Sequence, residues 1–334
     1  MIQGQESDMT RNAKLQRASF QMSRREALCA SAVGASLFAV TELGSNALGD
    51  DSQKYPYIDA HSHIWTRQID VYPLKQGTKL SDLDPPSFTT EELLTTAHKA
   101  NVGRAVLIAR HTFYGFDNKY MTDAAEQHPG VFKVVGMIDD SKPHPDVEMK
   151  QLLKQHVTGF RITPKLRADA PWLNNAGMKI MWKTAAATGQ AMCCLINPDN
   201  LPEVDKMCEQ FPDTKVVIDH FARIGVDGET REQDLKNLCL LDRHQHTSVK
   251  ISAYYALGKK RAPYDDLRPM IRRLYDTFGP QRLMWASDSP YQLVGEGNTY
   301  EASIALIRDR MEFSADDLEW LLCKTAEKVF FSVG

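Results

Sequence analysis

The chain has 334 residues, 43% apolar and 25% charged, with a formal net charge of −3. These are ordinary globular values, and no long basic run interrupts the body, so nucleic-acid and membrane-surface roles get no electrostatic support. Past an N-terminal segment about 285 residues remain, large for one domain but normal for an α/β barrel.

The N-terminal segment has its own pattern. "SRREAL" (Ser23–Leu28) opens an uncharged, small-residue run from Ala27 to Thr41, and Ser45 and Ala47 offer small residues before a cleavage point near Leu48. A charged n-region, an apolar h-region and a small-residue exit make a secretory signal over residues 1–47. The Arg24–Arg25 pair resembles a twin-arginine export signal, departing from it at Ala27, where Phe is common. The run is too short to span a membrane comfortably, so the expectation is an exported, periplasmic or extracytoplasmic protein without stable membrane association. The six cysteines form no CxxC and no disulfide framework.

From residue 52 to 334, short apolar runs alternate with amphipathic stretches. The runs are YIDAH (57–61), AVLIAR (105–110), FKVVGMID (132–139), GFRIT (159–163), AMCCLIN (191–197), KVVIDH (215–220), VKISAY (249–254) and LMWASD (283–288). Runs of this length, rich in Val and Ile, suit strands of a parallel sheet buried on both faces. Between them, TTEELLTTAHKANVG starts with a Thr cap and ends at Gly103, MKIMWKTAAATGQ stops at Gly189, and YDDLRPMIRRLYDTFGP closes at Gly279–Pro280. Strand and helix repeated eight times predict a single-domain (β/α)8 TIM barrel. A doubly wound open sheet would call for a Gly-rich phosphate turn after the first strand, and none is present.

In such a barrel the chemistry sits at the C-terminal ends of the strands. Those ends carry His61 and His63, Arg161, Asp219 and His220, Lys250 and Ser252, and Asp288. Residues two apart on a strand share a face, so His61 and His63 aim one way and can hold a metal ion or a polar ligand. The loops at 66–88, 221–230, 255–264 and 289–299 are long enough for a lid or substrate wall.

"DAHSHIW", "VVIDHFARI" and "LMWASDSPY" together resemble the amidohydrolase superfamily, in its amidohydrolase-related branch; with "VKIS" they are most similar to its fuconolactonase and pyrone-dicarboxylate lactonase group. The resemblance covers about residues 55 to 330. It implies His61 and His63 as metal or carbonyl ligands, His220 as a polarising or proton-transferring group, and Asp288 as the base that activates water, which could also ligate a metal held by His61 and His63. Imidazole and carboxylate suit one Zn²⁺. Two departures weigh against a binuclear centre: strand 5 has no histidine, and strand 4 lacks the lysine that bridges two metals in other relatives. Pyrone-dicarboxylate lactonases resemble this arrangement and work without metal, so a metal-free mechanism stays open.

The expected function is hydrolysis of a lactone, a small-molecule substrate, by an activated water. Arg161 and Lys250 would anchor a carboxylate or hydroxyls, and Trp65 and Tyr254 would line the wall. Each has a structural counter-reading: Asp288 as a turn cap, His220 as a core histidine, Arg161 and Lys250 as counter-ions to barrel carboxylates, the aromatics as packing. A metal-dependent decarboxylase is the alternative enzyme, and an exported sugar-binding barrel the alternative of another class.

Overall fold

The computed structural model describes residues 55–166 and 172–333; the expected export signal lies outside them. Eight strands follow in sequence order: β1 (Tyr57–Ser62), β2 (Val102–Ile108), β3 (Phe132–Gly136), β4 (Val157–Ile162), β5 (Ala191–Cys194), β6 (Lys215–Ile218), β7 (Thr247–Ser252) and β8 (Leu283–Ala286). Each pairs in parallel with the next. The circle closes just beyond β8, where Asp288 N–H donates to His61 O and His63 N–H to Ser289 O, both at 2.8 Å.

The connecting helices are α1 (Thr90–His98), α2 (Lys119–Gln127), α3 (Pro145–Leu153), α4 (Ala176–Thr188), α5 (Leu201–Gln210), α6 (Glu232–Leu240), α7 (Arg268–Phe278) and α8 (Tyr300–Arg310). This is the (β/α)8 barrel that the alternation predicts. Local chemistry sets many of the ends. Thr89 and Glu92 form a capping box at the start of α1, and Gly189 (φ 74°) takes the left-handed conformation that stops α4. The predicted stop of α1 at Gly103 is displaced: the helix ends at His98, Asn101 (φ 61°) makes the left-handed turn, and Gly103 belongs to β2. Asn tolerates that conformation through local hydrogen bonding, so glycine is not needed there. Among the described residues no helix is long and apolar enough to cross a membrane.

Two apolar layers hold the barrel. Strands and helices bury one large cluster between them, and a second fills the barrel interior with Ile58, Ala60, Val106, Ile108, Val135, Cys193, Val217, Met284 and Ala286. Phe330, from the C-terminal helical segment, belongs to this inner cluster. Lys250 Nζ sits 5.3 Å from its ring centroid, so the inner cluster carries a cation on its upper side.

Several predicted strands run past their ends, and three of them break at a left-handed residue. The residues KVVIDH, VKISAY and LMWASD leave extended geometry at His220 (φ 53°), Ala253 (φ 57°) and Asp288 (φ 66°). A left-handed non-glycine residue is uncommon and strained. These three left-handed turns lie at one rim of the barrel, where the polar residues also collect.

Candidate active site

The site begins with an irregularity in β1. From Asp59 to Ser62 the strand spends three residues against two on β2, Ala105 to Leu107, which is a bulge. Ile58 and Ala60 face the barrel interior, and the extra residue puts His61 and then His63 on that side as well. Asp59 points outward and holds the bulge. Its fully buried carboxylate accepts His61 N–H (3.0 Å), Ser287 N–H (2.8 Å), the hydroxyls of Ser62 and Ser287 (both 2.5 Å) and Tyr300 OH (2.7 Å). One side chain therefore ties the strand bearing the histidines to the segment bearing Asp288.

His63 is oriented from behind. Its Nδ1 lies 2.8 Å from the carbonyl oxygen of Ile108, which can only accept, so Nδ1 carries the proton. Burial pushes His63 down to about 4, against the opposing pull of the Asp288 carboxylate, and the ring is neutral at neutral pH. The lone pair on Nε2 then faces Asp288 Oδ1 at 3.2 Å. Two acceptors at that distance need a positive centre between or beside them. His61 Nε2, buried and without a hydrogen-bond partner, stands 3.5 Å from the same oxygen. His61, His63 and Asp288 thus fit a metal ion, with the bonded Nδ1 of His63 supplying the outer support that such ligands require.

His220, in its left-handed turn, is held by a 2.8 Å hydrogen bond between Nδ1 and Ser252 Oγ. Its Nε2 lies 3.8 Å from Asp288 Oδ2. Tyr255 OH donates to that same Oδ2 at 2.7 Å. Burial pushes the Asp288 carboxyl up, but His220, His63 and His61 outweigh it and hold it well below the usual carboxylate range. Asp288 is therefore an ionised acceptor at working pH. Burial and the adjoining Asp288 push the Tyr255 hydroxyl well above its ordinary value, so it remains a donor.

A second trio, His61, Asp219 and His220, also has converging ligand atoms. It already contains a cation, because Lys250 Nζ lies 3.1 Å from Asp219 Oδ1. Beside His63 the site is positive: Arg161 is 6% exposed, donates Nη1 to Ala109 O at 3.3 Å and leaves a buried Nε without a partner. Arg110 stacks its guanidinium 4.9 Å from the Tyr291 ring, which itself edges His63 at 5.7 Å. Both guanidiniums help keep His63 neutral.

The geometry brings together His61, His63, His220, Asp288 and Arg161. Three other expected residues have their polar groups engaged elsewhere. Lys250 is fully buried beside His61, with Nζ 3.1 Å from Asp219 Oδ1 as its counter-ion. Trp65 is fully buried, donating Nε1 to Pro85 O and pinning the base of the β1 loop by paired backbone bonds with Phe88. Tyr254 is fully buried with its hydroxyl on Ile251 O. Sequence reasoning missed Arg110, which follows β2 without a motif, and the contact of Tyr255 with Asp288.

A barrel with two inward histidines on its first strand, a rim histidine after the sixth and a carboxylate after the eighth defines a hydrolase of the amidohydrolase type. The family model described as amidohydrolase matches residues 58–331, and the chain belongs to that family. Among characterised proteins it is similar to L-fucono-1,5-lactonase of Burkholderia ambifaria, 27% identical over 256 residues that cover 74% of this chain and 85% of the relative. It is also similar to 4-sulfomuconolactone hydrolase of Rhizobium radiobacter, 23% identical over 235 residues, 70% of this chain and 75% of that protein. In fold it resembles the probable 2-pyrone-4,6-dicarboxylic acid hydrolase of Acinetobacter baumannii, with a TM-score of 0.69 at 19% identity over 82% of this chain and 99% of the other.

Proposed function

We propose that this chain hydrolyses a lactone that carries an anionic group. The observation that supports it best is the convergence of His61, His63 and His220 on Asp288 beside the buried Arg161. Both curated relatives described above are named as lactone-opening enzymes, which supports the ester class over an amide or a carboxyl group to be lost. An end of β5 without histidine tells against the decarboxylase alternative.

In this reading Asp288 accepts the proton of the attacking water while Tyr255 fixes the orientation of its carboxylate. The new C–O bond forms from water, the ring C–O bond breaks, and the ring oxygen leaves as an alkoxide that takes up a proton. In this reading His220 Nε2 delivers that proton while Ser252 holds the ring. Arg161, with a free buried Nε and a planar fork, receives the anionic substituent. His61, His63 and Asp288 would hold a single metal, for which nitrogen and oxygen donors favour Zn²⁺. When bound, the ion supplies polarisation of the ester carbonyl and acidifies water.

Proton release from a panel of lactones tests the reading. Carboxylate-bearing lactones should be opened with a higher kcat/KM than neutral sugar lactones of similar size. Preference for the neutral ones would remove the anion assignment, and no hydrolysis of any lactone by zinc-loaded protein would remove the ester class.

We also propose export, on the strength of Arg24–Arg25 and the apolar run that follows. Cell fractionation of a double Arg24→Lys, Arg25→Lys variant tests it: export at the wild-type level would sink the twin-arginine route.

A further inference from the structure

His61 Nδ1 has two neighbours that make opposite demands on it. Lys250 Nζ lies 3.2 Å away in hydrogen-bonding geometry, and Asp219 Oδ1 lies 3.6 Å away. The lysine and the aspartate are themselves 3.1 Å apart, and all three side chains are fully buried. An ammonium group can only donate and a carboxylate can only accept. Nδ1 is therefore either an acceptor from Lys250 or a donor to Asp219, and it cannot be both.

The distances choose between them. At 3.2 Å a protonated Nδ1 would set two donors face to face, whereas 3.6 Å to Asp219 is beyond an ordinary hydrogen bond. With Nδ1 accepting, the proton of His61 sits on Nε2, directed toward Asp288 Oδ1 at 3.5 Å. A ring nitrogen that carries a proton cannot ligate a metal. Ligation through Nε2 needs the proton on Nδ1, and among the described residues the acceptor nearest to receive it is Asp219. The same carboxylate would then accept from both Lys250 and His61.

We infer that Lys250 and Asp219 select the tautomer of His61. Lys250 holds the Nε2–H form, in which His61 donates toward Asp288 or a substrate oxygen. Asp219 supports the Nδ1–H form, which a metal ligand must adopt. Lys250 is thus a positioning residue that weakens metal capture at His61 without touching the metal or the substrate. His63 has no such opponent, since its Nδ1 is committed to the Ile108 carbonyl. The two histidines of one motif are held in opposite tautomers.

The inference rests on the metal reading of the His61, His63 and Asp288 site, and the test separates the two. Zinc affinity is measured by chelator competition for wild type, Lys250→Met and Asp219→Asn. Met keeps an unbranched stem over the Phe330 ring. Lys250→Met should bind zinc about 10- to 100-fold more tightly, and Asp219→Asn should bind it more weakly by a similar factor, the range seen when outer partners of a ligand are changed. Independently, ¹⁵N spectra of histidine-labelled, metal-free wild type should show His61 protonated at Nε2, assigned by the signal lost in His61→Gln. Lys250→Met should show it protonated at Nδ1. Equal or weaker zinc binding by a folded Lys250→Met, or an Nδ1–H His61 in metal-free wild type, would overturn the assignment. If no variant and not the wild type binds zinc, the metal reading falls, and the ¹⁵N spectrum still decides the role of Lys250. A Lys250→Met chain that does not fold leaves that spectrum of wild type as the deciding measurement.

Discussion

The hydroxyl of Tyr255 donates to Asp288 Oδ2 at 2.7 Å, on the opposite side of the carboxylate from the oxygen that faces His61 and His63. One oxygen is thereby committed to the histidine pair and the other is shared by a neutral donor and His220. Replacing Tyr255 by Phe removes a hydrogen bond to a charged acceptor, worth about 1.5–3 kcal/mol, while leaving the ring in place. The Asp288 carboxyl should rise toward its ordinary value, because the donor favours the ionised form. The acid limb of the rate profile should then move to higher pH, and kcat should fall about tenfold with KM nearly unchanged. A profile that does not move would show that Tyr255 packs against Asp288 without tuning it.

Asp288 itself separates base from turn former. Asp288→Asn keeps the shape and a hydrogen-bonding end, so a residue that merely terminates β8 would tolerate it. A general base contributes roughly 100- to 10,000-fold, and kcat should fall by that much or more. Zinc content measured on the same preparation distinguishes loss of the base from loss of the metal. Retention of more than about a tenth of the turnover, against that range, removes Asp288 from the chemistry.

The strands and their order were legible because each is a short, mostly apolar run largely buried on both faces, several of them rich in Val and Ile, and the period of two put His61 and His63 on one side. The bulge at Asp59–Ser62 left no mark in the residue pattern, yet it is what turns His61 and His63 to the inward side already occupied by Ile58 and Ala60. Ala253 explains the exchange between Tyr254 and Tyr255. Its left-handed φ of 57° turns the chain after β7, burying Tyr254 and sending Tyr255 to Asp288, where an extended reading would do neither. Depth was the other hidden quantity. Lys250 and Ser252 share a face of β7, but Lys250 lies one pleat lower, which makes it a counter-ion under the site and Ser252 a partner of His220. No periodicity carries that distinction.

Arg161 and Arg110 make a claim about substrate charge that kinetics can read directly. If Arg161 receives the anionic substituent, Arg161→Met should raise KM for a carboxylate-bearing lactone by one to two orders of magnitude, since a hydrogen bond to a charged group contributes about 1.5–3 kcal/mol. For a neutral lactone KM should move little. Arg110→Met should show the same selectivity more weakly, because its guanidinium already stacks on Tyr291. Equal losses on charged and neutral substrates would mean that the arginines support the barrel and do not recognise the substrate.

Asp59 touches neither substrate nor metal in this reading, yet its removal should cost more stability than any change at the rim. Its carboxylate is the common acceptor for two backbone N–H groups and three hydroxyls, drawn from β1, the segment after β8 and α8. Asp59→Ala would leave those donors buried without an acceptor, and each such group costs about 1–3 kcal/mol. Some would find new partners, so a net loss equal to about two such groups, roughly 2–6 kcal/mol, is the expected outcome in urea unfolding. Asp59→Asn keeps one acceptor oxygen and places an NH2 against the hydroxyls, which can reverse and accept from it. It should lose about half as much stability. The bulge also aims His61, so zinc affinity should fall in both variants in proportion to the stability lost. A stable Asp59→Ala protein with wild-type zinc affinity would show that the bulge is held by the barrel closure at His61 O and Asp288 N–H alone.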